Sequence, residues 1–324
     1  MTANRRVRAV AALGCAAAVV GLAAPAGVAV AAVPAVSTIA PADVTSQTAT
    51  LRGRVNPRSL ATGWFFEYGP TAAYGARTPA ATVAAGAAAV AVNAPVRSLA
   101  ANATYHFRLV AANASGQAVT ADRTFRTPAQ ALQVVLTATP NPATFGGPTT
   151  LAGIVTGTGN AGRPVQIQQK PFPFGGGFVN TGNALVTDAR GQFSMAILSL
   201  GITTQFRARV TDRAGVVSPV VAVAARAVVR TRVTRTRLRR GGRVHFSGTV
   251  RPSEPGRGIA IQKRREGRWI TVSGTVLRPG GAGFAIYGKT VRIRRGGLYR
   301  VFVGTGSGAT APNSGPTIRI RTRR

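Results

Sequence analysis

Seven carboxylates (Asp43, Glu67, Asp122, Asp188, Asp212, Glu254 and Glu266) and two histidines (His106 and His245) are the chain's whole supply of side-chain acid–base groups near neutrality, in 324 residues. Glycoside hydrolysis normally takes two carboxylates held a few ångströms apart, and no segment offers an obvious pair. A Ser/His/Asp triad needs a histidine beside an acid and a nucleophile, whereas His106 and His245 lie far apart and both read as outward positions on strands. Asp188 and Asp212 fall beside Gly-containing turns, where Asp is a common structural choice. Calcium would need several oxygen ligands gathered together, and no Gly-rich loop leads into Lys-Ser or Lys-Thr as phosphate cradles do. The single cysteine, Cys15, sits in a segment that reads as removed, which excludes thiol chemistry and Cys-based metal sites. The reading is therefore of a non-enzyme, with no catalytic residues, cofactor, metal or small-molecule substrate.

What the chain has in abundance is arginine. Lys and Arg number 41 against 7 acids, a formal charge of +34, so the surface attracts polyanions. The excess is uneven. Residues 228–324 hold 21 Arg and two Lys against Glu254 and Glu266, a net of +21, while residues 34–128 and 129–227 each come to +5. A general arginine habit would load the three segments alike. Arg230 and Arg232, then Arg235, Arg237 and Arg239, then Arg319, Arg321 and Arg323 recur at every second residue, which places each set on one face of an extended strand. If the first and last strands of this segment lie together, the sets form a ridge of forked donors suited to phosphate and carboxylate. The same arginines would serve equally as a solvated edge that discourages sheet-to-sheet aggregation. A second contact is the loop around Phe172 and Phe174, whose rings stand between prolines at an expected hairpin tip; they either face a partner or fold back over their own edge.

The elements that must position these residues are strands. Thirty-nine Gly and 20 Pro punctuate short runs of Val, Thr, Ile and Phe, the pattern of strands and turns rather than of long helices. Residues 1–32 read as an export signal: Arg5, Arg6 and Arg8, an uncharged stretch from Ala9 to Val30, and the small-residue pattern Ala29-Val30-Ala31. Cleavage there leaves no expected membrane span. Beyond it one plan occurs three times. An apolar-x-Gly-x-Val strand appears as Leu51–Val55, Leu151–Val155 and Phe246–Val250, with glycines 100 and 95 residues apart. Each copy has a late strand opening on an aromatic, Tyr105, Phe206 or Tyr299, which lies 52, 53 or 51 residues beyond its glycine. Leu51, Val55 and their counterparts should point inward, as should Tyr105, Phe107, Leu109 and Ala111, with His106 and Arg108 facing out. In the last two copies Val165–Gln168 parallels Ile259–Gln262, and Phe178 parallels Trp269.

Residues 33–128 resemble a bacterial fibronectin type III module, through Trp64-Phe65-Phe66-Glu67-Tyr68-Gly69 and through Leu99 followed by Tyr105, Phe107-Arg108-Leu109, Ala111, Asn113 and Gly116. Ala101 and Ala103 stand where that family usually has Pro and Thr, and Gly53 lies near its usual early tryptophan. Residues 129–227 and 228–324 are similar to bacterial immunoglobulin-like repeats. The resemblance implies an all-β chain of three tandem sandwiches after the signal peptide, secreted or held at the cell envelope, whose modules space, adhere or bind. The charge makes an anionic cell-envelope polymer, or another extracellular polyanion, the expected partner of residues 228–324. The rival readings are an accessory carbohydrate-binding part of an extracellular polysaccharide-degrading system and a non-specific nucleic-acid binder.

Overall fold

The structure is a computed structural model that describes residues 32–323. The export segment read at residues 1–32, apart from Ala32, and with it Cys15, lies outside the described residues. Within them the chain is all strand and turn.

Three separate hydrophobic cores form, drawn from residues 49–111, 134–225 and 227–320, and each lies between two sheets. Around the first, Ala35–Ala42, Ala49–Asn56 and Val90–Val96 face a sheet centred on Thr62–Gly69 and Thr104–Asn113. Around the second, Gln133–Thr139, Thr149–Thr156 and Gln192–Ile197 face a sheet centred on Pro164–Pro171 and Thr204–Val210. Around the third, the sheet Val228–Val233, Arg243–Arg251, Phe284–Arg292 and Arg278–Gly281 faces a second one. That second sheet runs Arg237–Arg239, Ile318–Arg323, Gly297–Val303, Gly258–Arg265, Arg268–Val276. Alternation along the strands drives the layering, because every second side chain must leave water. Leu51, Val55, Leu151, Val155, Phe246 and Val250 are all fully buried, as are Phe107, Leu109 and Ala111.

The repeated glycine has a packing reason. At Gly153 a Cβ would lie 2.3 Å from the Phe193 ring and 2.5 Å from the Val135 carbonyl oxygen. At Gly248 it would lie 1.8 Å from the Arg230 carbonyl oxygen and 2.6 Å from the Tyr287 hydroxyl. Each ring stands directly across the sheet from its glycine, Phe193 opposite Gly153 and Tyr287 opposite Gly248, and covers backbone that a side chain would otherwise fill. In the first sandwich the space over Gly53 is taken by Leu109, 2.7 Å from where a Cβ would be, and by the Ser37 carbonyl oxygen.

Strand pairing corrects one register read from the sequence. Arg108, Arg207 and Arg300 stand opposite Glu67, Gln168 and Gln262, so the first-sandwich counterpart of Phe206 and Tyr299 is Phe107 rather than Tyr105. The slip is two residues, one pleat repeat, and therefore leaves the inward face unchanged; Tyr105 is half-buried against the same core.

Residues 32–127 form one compact unit and residues 128–323 another. Inside the latter, the second and third sandwiches share a joint. Ala143–Thr144 pairs in parallel with Ala225–Arg226. The loop after Gly297–Val303 then returns to that strand, with Ala311 N–H donating to the Ala225 carbonyl at 2.7 Å and Thr203 N–H donating to the Ala309 carbonyl at 2.8 Å.

Candidate anion-binding face

The arginine-bearing first strand of the third sandwich does not stay in one sheet. Val228–Val233 pairs with Arg243–Arg251, placing Arg230 opposite Thr249 and Arg232 opposite Ser247. The chain then bends at residues 234–236, and Arg237–Arg239 joins the opposite sheet in parallel with Ile318–Arg323, Arg237 opposite Arg321 and Arg239 opposite Arg323. Val229 is buried from one side of the core and Leu238 from the other, so the strand crosses between them. The eight arginines expected to form one ridge are thereby divided. Arg230 and Arg232 lie on the outer face of the other sheet, and Arg235 lies in the bend.

The ridge that does form holds Arg237, Arg239, Arg319, Arg321 and Arg323. Leu238 and Ile320, 7% and 1% exposed, take the inward phase, so the five arginines point outward and all are exposed. Alternate residues on a strand are ~6.8 Å apart and neighbouring strands ~4.8 Å, giving two rows of guanidinium forks along the sheet edge. None of the five takes part in the ion pairs found among the described residues, which are His106–Asp122, Arg108–Glu67, Arg163–Asp212 and Arg257–Glu254. Their charge is left for solvent or a partner.

A second arrangement occurs in all three sandwiches and has no counterpart in the sequence reading. The late strand carries an outward arginine whose Nε donates to an acceptor directly across the sheet: Arg108 to Glu67 at 2.6 Å, Arg207 to Gln168 at 2.8 Å, Arg300 to Gln262 at 2.8 Å. An aromatic ring then roofs each guanidinium, Tyr74 at 4.7 Å, Phe178 at 4.2 Å and Trp269 at 4.4 Å. A cation over a ring face is attracted by the ring quadrupole, and the Nε bond fixes the fork's plane. In the first sandwich the acceptor is a carboxylate, and its hydrogen bond raises the Arg108 pKa. The other two acceptors are neutral amides, and burial alone lowers that of Arg300. The signal available in sequence was the parallel of Gln168 with Gln262 and of Phe178 with Trp269; the two-residue slip at Arg108 hid the third copy.

Other acid–base groups are engaged in local contacts. Asp122 accepts from His106 Nδ1 at 2.7 Å and from the Tyr74 hydroxyl at 3.0 Å. The histidine bond is the main reason its pKa is lowered. Asp188 closes its turn by accepting two backbone N–H donors, from Arg190 and Gln192, each at 2.8 Å. His245 Nδ1 lies 3.0 Å from Thr290 Oγ1. Phe172 and Phe174 pack edge to face, 5.6 Å between centroids, and both are half-buried. The Phe172 ring lies against Gly308 of the joint loop, where a Cβ would be 3.0 Å from it. Among the described residues no three His, Cys, Asp or Glu side chains are gathered as metal ligands would be.

No protein-family model matches the chain, and no curated protein does. Solved structures similar to it include a tetra-tandem repeat in the extending region of a large adhesion protein, 15% identical over 90% of this chain and 74% of that one, with a TM-score of 0.31. A titin segment is 12% identical over 90% and 100%, TM-score 0.36. The FN1–FN3 domains of chicken CNTN1 are 14% identical over 90% and 99%, TM-score 0.26.

Proposed function

We propose that the chain is a non-catalytic secreted or cell-surface protein with a structural or adhesive role, whose third sandwich binds an anionic envelope polymer through the face bearing Arg237, Arg239, Arg319, Arg321 and Arg323. The observation that carries this reading is the double row of guanidiniums, in no ion pair among the described residues, on a module of net charge +21, joined to a sandwich of similar frame and net charge +5. Each phosphate neutralised by such a row releases condensed counterions, so affinity falls steeply as salt rises.

The test uses the full chain and a synthetic poly(glycerol phosphate). The parent binds with a steep salt dependence. Arg319, Arg321 and Arg323 replaced together by Gln leave the inward Ile318 and Ile320 in place. The slope of log affinity against log salt is expected to fall by roughly one for each phosphate that the variant no longer neutralises. A folded triple variant with the parent's affinity and slope overturns the assignment of this face. Tighter binding to a single-stranded oligonucleotide of equal charge would replace the envelope polymer by a nucleic acid.

A further inference from the structure

The positive charge of the third sandwich is concentrated at the end remote from the joint. The turns at residues 240–243, 264–268 and 292–297 hold eight exposed arginines, none of them in the ridge, against one carboxylate, Glu266. Backbone hydrogen bonds join two of these turns and the last strand: Gly241 N–H donates to the Ile293 carbonyl and Ile293 N–H to that of Gly242, both at 2.8 Å, and Arg240 N–H donates to the Arg323 carbonyl at 2.9 Å. The third turn, 264–268, follows Gly258–Arg265, where Lys263 stands opposite Tyr299 just beyond residues 292–297.

Two of the arginines bind the turns to one another. Arg240 Nε donates to the Arg294 carbonyl and Arg292 Nε to the Gly241 carbonyl, each at 3.2 Å. Both guanidiniums are therefore held at the cluster while their Nη groups take part in no hydrogen bond among the described residues. Beneath the 292–297 turn lies another cation, Lys263, 8% exposed. Its ammonium donates to the Arg295 carbonyl at 2.8 Å, an oxygen that also accepts from the Tyr299 hydroxyl at 2.9 Å. Burial, then the charges of Arg265 and Arg295, hold its pKa below the ordinary lysine value. A buried cation is normally paired with an anion; here it adds its charge to a pole already crowded with like charges, and no described ion pair involves any of them.

We infer that this pole is a binding site for closely spaced phosphate groups, distinct from the strand-face ridge of the same sandwich. The inference rests on the polyanion reading above and locates its tightest contact. Like charges brought together and fixed there oppose folding, and clustered oxyanions would both relieve that repulsion and take the forked donors two at a time. The ridge offers spaced single contacts along a strand; the pole gathers donors from three turns at one end of the sandwich.

The experiment uses the full chain and two probes: inorganic tripolyphosphate, which presents adjacent phosphates, and poly(glycerol phosphate), which presents them spaced. The pole variant replaces Arg264, Arg265, Arg294 and Arg295 by Gln, none of which donates a side-chain hydrogen bond among the described residues. The comparator replaces Arg319 and Arg321 by Gln. The pole variant is expected to lose tripolyphosphate affinity by about tenfold or more, with a salt slope lower by roughly two or more, while the comparator keeps the parent's affinity within about threefold. The melting temperature of the pole variant should stay level or rise, since repulsion has been removed. Should tripolyphosphate bind the pole variant as it binds the parent, or should the parent bind the polymer and not tripolyphosphate, the pole is overturned and the ridge stands. If the parent binds neither probe, the polyanion reading itself fails.

Discussion

In the second sandwich Arg163 precedes the strand Pro164–Pro171 and reaches across to Asp212; in the third, Arg257 precedes Gly258–Arg265 and reaches to Glu254. The two arginines occupy the same place in the fold and live in different surroundings. Arg163 and Asp212 pair at 2.7 Å with side chains 21% and 36% exposed, while Arg257 and Glu254 pair at 3.1 Å with side chains 2% and 15% exposed. The roofed arginine and the cross-strand glycine also recur in both. The shared frame thus tolerates a net charge of +5 or +21, so the charge is not there to make the fold. What distinguishes the third sandwich is where cations are buried and where they are displayed.

The buried pair gives the sharpest way to break this comparison. Arg257 donates to the Gly304 carbonyl at 2.8 Å as well as to Glu254 and Thr310, so it ties down the loop that builds the joint. Burial pulls its pKa below the usual arginine value against the pull of Glu254. Removing one partner of a buried pair leaves an uncompensated charge and costs about 3–5 kcal/mol, whereas an exposed pair is worth about 0–1 kcal/mol. Arg257→Met should therefore destabilise the third sandwich by several kcal/mol and speed hydrogen exchange at Thr203 and Ala311, whose N–H groups make the joint's hydrogen bonds, while Arg163→Met should barely register. Equal costs for the two, measured by denaturant unfolding of the full chain, would show that the two environments do not differ in the way described.

The repeated glycine predicts a smaller effect, graded in a definite order. Gly248→Ala drives a Cβ against a backbone carbonyl at 1.8 Å, and Gly153→Ala meets one at 2.5 Å together with a ring. Overpacking of this kind costs about 1–3 kcal/mol. Gly248→Ala should sit at the top of that range and Gly153→Ala below it, since backbone yields less than a ring edge. Gly176→Ala, with nothing within 4 Å, should leave stability unchanged. A larger cost at Gly153 than at Gly248 would contradict the packing account.

How much of this was legible depends on how local each signal is. Alternation is local, so the inward residues Leu51, Leu151, Phe246 and their neighbours could be read directly, and the all-β class with them. The charge excess after residue 228 is composition and equally plain. What could not be read were pairings between distant segments. The crossing at residues 234–236 separates Arg232 from Arg237 by sending Val229 and Leu238 to opposite sides of one core, and both sides look the same in an alternating pattern. The roofed arginines depend on a strand partner some forty residues away, and a slip of two residues conceals one of them without disturbing the burial pattern. The joint rests on backbone hydrogen bonds at the Ala309 carbonyl and the Ala311 N–H, residues whose side chains carry no signal.

Two rings carry the smallest expected difference between these sandwiches. Tyr287 and Tyr299 in the third stand where the second has Phe193 and Phe206, so of the two only the third carries core tyrosine hydroxyls. Tyr287 donates to the Arg230 carbonyl at 3.0 Å and lies 2.7 Å from Thr231 Oγ1. Burial pushes its pKa up from 10.0 to about 12, and burial raises that of Tyr299 also. A group whose folded pKa lies above its unfolded one contributes a stability that is complete below pH 10 and is lost as pH climbs toward 12. At pH 11 the share lost through Tyr287 is on the order of 1 kcal/mol. Lys263 runs the other way: its folded pKa is lowered, so its penalty lifts as pH rises toward 10.5, ahead of the tyrosine loss. Comparing the full chain with its Tyr287→Phe variant cancels the lysine contribution. Between pH 10 and 12 the parent should lose hydrogen-exchange protection in the strand Phe284–Arg292 faster than in Gln192–Ile197, and the variant, though weaker at neutral pH for want of the hydroxyl's bonds, should show a flatter decline. If the strand of the second sandwich, which carries no tyrosine, loses protection in step with that of the third, the alkaline sensitivity belongs to the whole C-terminal unit and not to the hydroxyls that distinguish its two cores.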